Sequence, residues 1–557
     1  MRIIRKVPKG LGRHEPLCHA DHPRPTTRRQ FIAQGFMTGS ASVLLPSIFS
    51  LMANPKVAQA QPALVGDIQG AVTSCGISAG SGMIPFICFD LSGGANIAGS
   101  NVLVGGPGGQ LDFLSVAGYS KLGLPGSMVP NSSANSFVDA SLGLRYHSDS
   151  AHLRGIKTRF TSAAAMANVT GTIIPALSQN DTNTNPHNPM YGIWQAGARG
   201  ALLDLIGTDS SVSGGNSMAP PGMINIAAQP TKISRGSDTA GLVSTGQLST
   251  LLPNPPNPET TTTDVTLVLE SMKRISDAKL ATMTGSAAAY ANSIPNGSAL
   301  QTTAIQAQMC AYTKAAYLLN RYPSPGAVDP DNDPDVVGTN GIFKTAEYQA
   351  SSDFQSTAAV MKLVIDGDAA AGTIQLGGFD YHTGDRATGE TRDFAAGQCI
   401  GAVLQYAALR GKPVMIYVFS DGSLASDGTI DSSVAGRGKG VWTADNQNVA
   451  ATYFLVYDPK AKPIPAQTPE MSLQLGYFNP DGSQNTTSSP AGNNVPNLVQ
   501  MVVLNYMALH STSAASLWPN LWPNTPTNNT LGATAQVLDP LIMYNPLASL
   551  VNGKVPG

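Results

Sequence analysis

Two kinds of apolar segment alternate along the second half of the chain. Short, continuous apolar runs, which predict buried strands, alternate with longer stretches whose apolar residues recur at helical spacing. The predicted strands lie at 373–379, 412–423 and 451–459, and the predicted helices lie at 354–369, 392–410 and 496–512. Because apolar strands alternate with helices, the pattern predicts an α/β fold with a mostly parallel sheet and helices on both faces.

The first half of the chain contains one clear strand and several less regular segments. An apolar run at 82–94 ends in two glycines and predicts a buried strand that leads into a loop. Helices are predicted at 188–207, 263–283 and 300–321. Residues 208–261 and 322–345 are rich in turn-forming residues, and we expect them to be long loop insertions.

Polar loops follow three of the predicted strands, at 92–101, 380–386 and 420–424. In open α/β sheets, ligands bind beyond the carboxyl ends of the strands. Asp380 and His382 are two residues apart, so in an extended chain both side chains point to one side. Together they can bind a divalent cation or hold a proton-transfer pair, and Asp421 can join them. The alternative is a polar turn that caps the following helix.

The N-terminus has the order of features that marks an export signal. Two arginines at 28–29 precede a mostly apolar run at 31–52, and the VAQA stretch at 57–60 supplies a cleavage site. Paired arginines indicate a twin-arginine (Tat) signal peptide over residues 1–60. The alternative is an uncleaved membrane anchor, which glycine and proline within the run disfavour. We expect cleavage to leave 61–557 as a single large domain, periplasmic or secreted, without a stable membrane span.

Charge separates this chain from nucleic-acid-binding proteins. The whole chain has 33 Lys and Arg and 35 Asp and Glu, and residues 1–60 contain nine of the basic and two of the acidic ones, so the mature chain carries a net charge of −9. A protein that neutralises phosphates needs a basic patch, and the sequence has none. We therefore expect no nucleic-acid partner.

The mature chain contains four cysteines, Cys75, Cys88, Cys310 and Cys399. An oxidising compartment permits disulfides, and the spacing of these residues does not match a zinc site. Three pairings are open if all four are bridged, and we favour one disulfide together with buried thiols.

Three other features of the sequence point to rival sites. The G-x-S-x-G pattern around Ser78 matches a nucleophile elbow, but a strand is predicted where the elbow needs a helix. The acidic loop 329–338 resembles a calcium loop in composition but lacks the Gly and Glu of an EF-hand. We expect a solvated acidic loop, with weak calcium binding as the alternative. His147, His152 and His510 are isolated in sequence and are expected to be structural or surface histidines.

Several motifs follow one another in an order that resembles a family of exported proteins. The chain contains RRQF at 28–31, LSGGANIAGSN at 91–101, GGFDYH at 377–382, a helix, and FSDGS at 419–423. This order resembles the domain-of-unknown-function 1501 family, which has a twin-arginine leader and GGxDGLN, GGWDTH, SEFGR and GTDHG motifs. The match spans most of the mature chain, and GGFDYH is its most specific part. That family is grouped with the alkaline phosphatase and sulfatase superfamily, so the resemblance implies an alkaline-phosphatase-like fold.

The resemblance also implies a set of metal ligands and catalytic groups. Asp380 and His382 match the Asp and His of GGWDTH, Asp421 falls at the Glu of SEFGR, and Asp445 matches the Asp of GTDHG. In the superfamily, such residues bind one or two divalent metals while a hydroxyl attacks a phosphate or sulfate ester. Ser100 lies in the loop where the superfamily places its nucleophile, so the resemblance implies catalytic roles for Ser100 and Asp421.

The chain departs from the family pattern at two positions. Asn96 stands at the Asp of GGxDG, and Asn446 stands at the His of GTDHG. His187 loosely matches a Ser-His pair of the family, and these three residues are expected to line the pocket. Because a neutral amide is a poor ligand for a hard or borderline cation, we do not expect a two-metal centre.

Two functions are compatible with these motifs. The first is an exported metal-assisted hydrolase that acts on phosphate or sulfate esters of small molecules or polymers. The second is a catalytically silent secreted or cell-surface binding protein with the same fold, because fold alone does not decide function. Convergence of Asn96, Asp380, His382, Asp421 and Asp445 in one pocket would favour the first, and scattered positions would favour the second.

Overall fold

A mixed β-sheet forms the centre of the computed structural model, which describes residues 82–130, 136–178, 185–244, 325–521 and 530–556. In chain order, the strands are β1 (Phe86–Leu91), β2 (Val138–Leu142), β3 (Leu144–His147), β4 (Val169–Pro175), β5 (Leu203–Gly207), β6 (Thr231–Lys232), β7 (Ala369–Leu376), β8 (Val414–Ser420), β9 (Leu424–Ala425), β10 (Ile430–Asp431), β11 (Lys439–Gly440), β12 (Ala444–Asp445) and β13 (Ala451–Tyr457). Within the described residues, the central sheet has the order β4-β13-β8-β1-β7-β5-β6. Strand β1 therefore lies in its middle.

The pairing of the central strands confirms a mostly parallel sheet. Strand β1 is parallel to both of its neighbours, β7 and β8, and β5 is parallel to β7 and β6. Strand β13 is antiparallel to β8 and to β4. The strands β1, β7, β8 and β13 are buried almost throughout, which explains why apolar residues predominate in their sequences.

The helices of the described residues connect and surround these strands. They are α1 (Val116–Lys121), α2 (Ala151–Arg159), α3 (Ala163–Met166), α4 (Met190–Gln195), α5 (Gly236–Ser244), α6 (Thr345–Ala350), α7 (Ser352–Ile365), α8 (Ala387–Leu409), α9 (Pro469–Ser472), α10 (Val495–Ala508), α11 (Ala514–Leu521) and α12 (Ala535–Leu538). Short 3-10 helices lie at Pro221–Met223, Ile226–Ala228, Pro325–Ala327, Pro330–Asn332, Gln447–Val449 and Asp539–Leu541. The three helices predicted in the second half correspond to α7, α8 and α10.

Helices pack against both faces of the sheet. On one face, the ring of Phe86 in β1 lies 5.8 Å from the ring of Tyr506 in α10, nearly at a right angle. On the other face, Gly372 in β7 lets α7 approach closely, because a Cβ there would collide with Val360. Gly372 is paired with Ile87, the neighbour of Phe86, so the two contacts lie on opposite faces. The predicted two-sided cover is confirmed.

The predicted helix at 188–207 is wrong over its second half. Helix α4 ends at Gln195, and Gly197 follows with φ of +105°, a conformation that favours glycine. Residues Leu203–Gly207 then form β5, parallel to β7. A short apolar run buried inside a sheet gives the same pattern as a buried helix, so periodicity could not separate the two.

The predicted loop insertions have some regular structure. Residues 208–244, the described part of the insertion 208–261, contain β6 and α5. In the insertion 322–345, the described residues contain two 3-10 helices and lead directly into α6. These segments cover one edge of the sheet, where β6 extends it beyond β5.

Several predictions concern residues outside the described part of the chain. They are the signal peptide at 1–60, the Ser78 motif, the helices at 263–283 and 300–321, and two cysteines, Cys75 and Cys310. Of the described cysteines, Cys88 and Cys399 are buried free thiols. Burial raises the pKa of the Cys399 thiol to about 12. The prediction of buried thiols is confirmed for these two residues, and the disulfide stays a prediction.

Candidate metal site

The loops that follow β1, β7 and β8 meet at the carboxyl edge of the sheet. The backbone N–H of Gly93 donates to Oδ1 of Asp421 at 2.8 Å. The N–H of Phe379 donates to the carbonyl of Ser92 at 3.2 Å. These two bonds join the first loop to each of the others, so the three polar loops meet at one edge of the sheet.

Three side chains converge at this edge: Asp380, His382 and Asp445. Nδ1 of His382 lies 2.5 Å from Oδ1 of Asp380 and 3.4 Å from Oδ1 of Asp445. The three donor atoms all lie within 4.8 Å of one another. The side chains are 34%, 50% and 56% exposed for His382, Asp380 and Asp445, so the trio faces solvent. Among the described residues, no other three His, Cys, Asp or Glu side chains converge in this way.

In the loop after β7, successive side chains point alternately into the protein and out to solvent. Gly378 has φ of +83° and turns the chain out of the sheet. Phe379 and Tyr381 then point inwards and are almost fully buried, whereas Asp380 and His382 point outwards. The two-residue spacing of the ligands therefore has the consequence predicted from the sequence.

Different elements position the other acidic residues of this edge. Asp445 reaches the trio on β12, which pairs antiparallel with β9 so that Asp445 lies opposite Leu424. Asp385 caps helix α8, because its Oδ1 accepts from the N–H of Ala387 at 2.7 Å. The loop 380–386 therefore serves as a candidate ligand loop at its start and as a helix cap at its end.

Asp421 does not join the trio. Its side chain is fully buried and accepts hydrogen bonds from Gly93 and from Nδ2 of Asn216, the latter at 2.6 Å. A Cβ on Gly93 would lie 2.9 Å from the backbone nitrogen of Asp380, so Gly93 touches both residues. Asp421 therefore supports the loop that carries Asp380 from the buried side and does not belong to the trio.

A second buried carboxyl group, Asp90, lies at the end of β1. Oδ2 of Asp90 accepts from the N–H of Ser217 at 2.7 Å. Burial, followed by the charge of Asp421, raises the pKa of Asp90 to about 7. The sequence reasoning passed over this residue, although an acidic residue inside the apolar run 82–94 was a signal.

Asn96 and Ser100 hydrogen bond with each other inside the protein. Both are fully buried, and the Ser100 hydroxyl donates to Oδ1 of Asn96 at 3.2 Å. Nδ2 of Asn96 donates to the carbonyl of Leu424 at 3.1 Å. Asn96 therefore supports β9, the strand that pairs with the Asp445 segment, and neither residue belongs to the exposed trio.

The last two predicted pocket residues also lie apart from the ligand atoms. His187 is buried with its ring stacked parallel to Phe419, at 6.0 Å between ring centres, and burial lowers its pKa to about 3. Neither ring nitrogen of His187 has a hydrogen-bond partner among the described residues. Asn446 follows Asp445 directly, and its side chain accepts from the N–H of Asn448 at 3.0 Å.

The acidic loop at 329–338 is packed against cations. Oδ2 of Asp333 accepts from Lys362 at 2.8 Å and from Arg410 at 2.7 Å. Arg410 also donates to Asp335 at 2.7 Å. Because Asp333 is buried, the expectation of a solvated loop is wrong for this residue.

The isolated histidines have structural contacts. His147 lies 2.9 Å from the carbonyl of Met128, and burial lowers its pKa to about 4. Nδ1 of His510 lies 2.8 Å from the carbonyl of Gly553. His152 is also buried, with Nε2 at 3.7 Å from Asp393. The expectation of structural histidines is confirmed.

Comparisons with other proteins add no further assignment. No family model, no curated protein and no solved structure matches the chain. The resemblance to the domain-of-unknown-function 1501 family therefore stays a prediction that depends on the motifs. In the described part of the chain, every helix is too short or too polar to cross a membrane.

Proposed function

We propose that the protein binds one divalent cation through Asp380, His382 and Asp445 and uses it to hydrolyse phosphate or sulfate esters outside the cytoplasm. The observation that carries this proposal is the convergence of one imidazole nitrogen and two carboxylate oxygens within 4.8 Å at the carboxyl edge of the sheet. Ligands in α/β sheets bind at this edge. The ester class comes from the family resemblance.

The types of donor atom suit a single divalent cation. Imidazole nitrogen and carboxylate oxygen are ordinary ligands of Zn²⁺ at about 2.0–2.2 Å, which places neighbouring ligand atoms roughly 3–3.5 Å apart. The 3.4 Å between His382 and Asp445 has this spacing, and the 2.5 Å between His382 and Asp380 is somewhat shorter. Three protein ligands leave coordination positions open, which is typical of catalytic sites and not of structural ones.

The residues around the trio indicate how an ester would be hydrolysed. A bound divalent cation supplies Lewis acidity and lowers the pKa of a coordinated water. The Ser100 hydroxyl is buried and donates to Asn96, so we propose water, and not Ser100, as the nucleophile. The exposure of Asp380 and Asp445 leaves the trio open to a bulky substrate.

The hydrogen bonds of two asparagines favour a second function, that of a catalytically silent binding protein. Asn96 and Asn446 stand where the resembling family has charged or basic residues, and both amide side chains make hydrogen bonds to backbone. A protein with this fold can retain a metal and bind a partner without catalysis.

The first experiment measures metal content and affinity. Mature protein, exported through its own leader, is assayed by elemental analysis and titrated calorimetrically with Zn²⁺ and Mn²⁺. The comparison is with an Asp380→Asn/His382→Gln variant, and Asp427→Asn, an exposed carboxylate on a neighbouring loop, is the matched control. We expect about one metal per chain in the parent and the control and none in the double variant.

Activity assays then separate the two functions. Phosphate and sulfate esters are tested with metal-loaded parent, with the double variant and after chelation. Hydrolysis that is lost in the variant and on chelation supports the hydrolase, and metal binding without hydrolysis supports the binding protein. Absence of metal from folded parent protein would contradict the metal-assisted hydrolase and favour a binding protein that needs no metal.

A further inference from the structure

Tyr381 lies between two of the proposed ligands and points in the opposite direction. Its side chain is 2% exposed, while those of Asp380 and His382 face solvent. A Cβ on Gly389 in α8 would lie 3.0 Å from the Tyr381 ring, so the ring packs directly against the helix backbone. Tyr381, between the two proposed ligands, is therefore one of the two buried side chains that hold this loop to the protein body.

The hydroxyl of Tyr381 connects three segments of the site. It donates to Oδ1 of Asp393 in α8 at 2.9 Å and accepts from the backbone N–H of Asn96 at 3.3 Å. Asn96 belongs to the loop after β1, and the Asn96 amide side chain holds Leu424, which pairs with Asp445. One buried hydroxyl thus links the Asp380 loop to the elements that carry the third ligand.

Asp393 is a fixed acceptor for that hydroxyl. Its side chain is 1% exposed, and its second oxygen accepts from Nδ2 of Asn101 at 2.7 Å. Nε2 of His152 lies 3.7 Å away, and Nδ1 of the same ring lies 3.3 Å from the hydroxyl of Tyr453. Buried polar groups with satisfied partners hold one geometry, because each broken hydrogen bond leaves an unsolvated group.

The ligand loop is irregular and is anchored by two buried side chains, Phe379 and Tyr381, and by the bond from the Phe379 N–H to Ser92. Between the end of β7 at Leu376 and the start of α8 at Ala387, residues 377–382 belong to neither helix nor strand. A loop without regular structure fixes its exposed side chains only through the residues that anchor it. In metal sites, groups behind the ligands orient them, and losing such a group commonly costs about 10–100-fold in metal affinity.

We propose that Tyr381 and Asp393 are positioning residues that hold Asp380 and His382 in place towards Asp445. The inference rests on the proposed metal site and extends it to two residues that touch neither metal nor substrate. Tyr381→Phe keeps the ring packed against Gly389 and removes only the hydroxyl. We expect this variant to bind Zn²⁺ about 10–100-fold more weakly than the parent.

Tyr506→Phe is the matched control. The Tyr506 hydroxyl is buried and donates to the carbonyl of Ile84 at 2.8 Å, before the start of β1 and therefore at the opposite edge of the sheet. Both substitutions remove one buried phenol hydrogen bond, so both are expected to lower the melting temperature. Only Tyr381→Phe is expected to lower Zn²⁺ affinity.

Two measurements on the full mature chain test whether Tyr381 positions the ligand loop. The first is calorimetric titration with Zn²⁺ alone, where equal affinity in Tyr381→Phe and parent would overturn the positioning role and leave the metal site standing. The second is amide hydrogen exchange of residues 378–384 in metal-free protein, which does not depend on metal binding. We expect faster exchange there in Tyr381→Phe than in parent or Tyr506→Phe.

The two measurements also separate the two proposals. If the parent binds no Zn²⁺, the proposed function fails, and hydrogen exchange alone tests whether Tyr381 holds the loop. Unchanged exchange at 378–384 in Tyr381→Phe would then overturn the inference as well. An Asp393→Asn variant completes a double-mutant cycle, in which non-additive losses of Zn²⁺ affinity show that the two residues act through the same hydrogen bond.

Discussion

Replacing Asp90 with Asn is expected to remove a pH-dependent loss of stability. Burial and the charge of Asp421 raise the pKa of the Asp90 carboxyl from 3.8 to about 7. A carboxyl with a raised pKa stabilises the folded state while it is protonated. Its contribution is therefore complete below the unfolded pKa of about 4 and is lost as the pH rises through about 7.

The size of the effect follows from the rise in the pKa of Asp90. One pKa unit corresponds to about 1.4 kcal/mol, so the rise from about 4 to about 7 is worth about 4 kcal/mol in the free energy of unfolding. Part of this loss occurs between about pH 5 and pH 8. Over that range, the linkage relation predicts that the free energy of unfolding of the parent falls by about 2.5 kcal/mol. Asn stays neutral throughout and retains a carbonyl oxygen for the Ser217 N–H.

The assay is urea unfolding of parent, Asp90→Asn and Asp427→Asn at several pH values from about 5 to 8. We expect Asp90→Asn to gain about 2.5 kcal/mol relative to the parent across this range. Asp427 is exposed, so its variant is expected to follow the parent. A constant difference between parent and Asp90→Asn, or a parent that gains stability relative to it as the pH rises, would refute the buried neutral carboxyl.

Three further predictions concern the interior. Asn96→Asp should lower the free energy of unfolding at pH 7 by about 1–3 kcal/mol, because a carboxylate cannot donate to the backbone, and unchanged urea unfolding would contradict this. Glu390→Gln should cost about 3–5 kcal/mol in the same assay, since buried Lys439 loses the negative charge of its closest side-chain partner, at 2.8 Å. An unchanged free energy of unfolding would count against this prediction. Cys88 and Cys399 should resist iodoacetamide in folded protein and react in urea, as peptide mapping would show; labelling without denaturant would argue against burial.

The fold was predictable where one physical signal dominated. Strands β1, β8 and β13 are buried on both faces, so their sequences are largely apolar runs that stand out from the helices beside them. Strand β7 contains Gly, Thr and Gln, and the strand predicted at 373–379 covers only its second half. Strand β5 was missed because a five-residue buried strand and part of a buried helix have the same apolar pattern. The antiparallel direction of β13 had no signal in the sequence, since pairing direction depends on long-range connections.

The candidate site was predictable in part. The two-residue spacing of Asp380 and His382 gave their common direction, because side chains alternate along an extended segment. Asp445 followed only from the family resemblance, as it lies on a two-residue strand that pairs locally with β9. Asp421 was placed wrongly, because its position at a strand end does not reveal that its oxygens accept from Gly93 and Asn216.

Asn96 and Asn446 stand where the resembling family has an acidic residue and a histidine, and each makes a hydrogen bond that holds the β9 segment. An amide can donate as well as accept, whereas an ionised carboxylate only accepts. Asn96 uses its donor on the carbonyl of Leu424, and the backbone N–H of Asn446 donates to the carbonyl of Ser423 at 2.8 Å. Both bonds hold the β9 segment against which Asp445 is paired. The residues that argue against a two-metal centre therefore help to hold β9, the strand that pairs with the Asp445 segment.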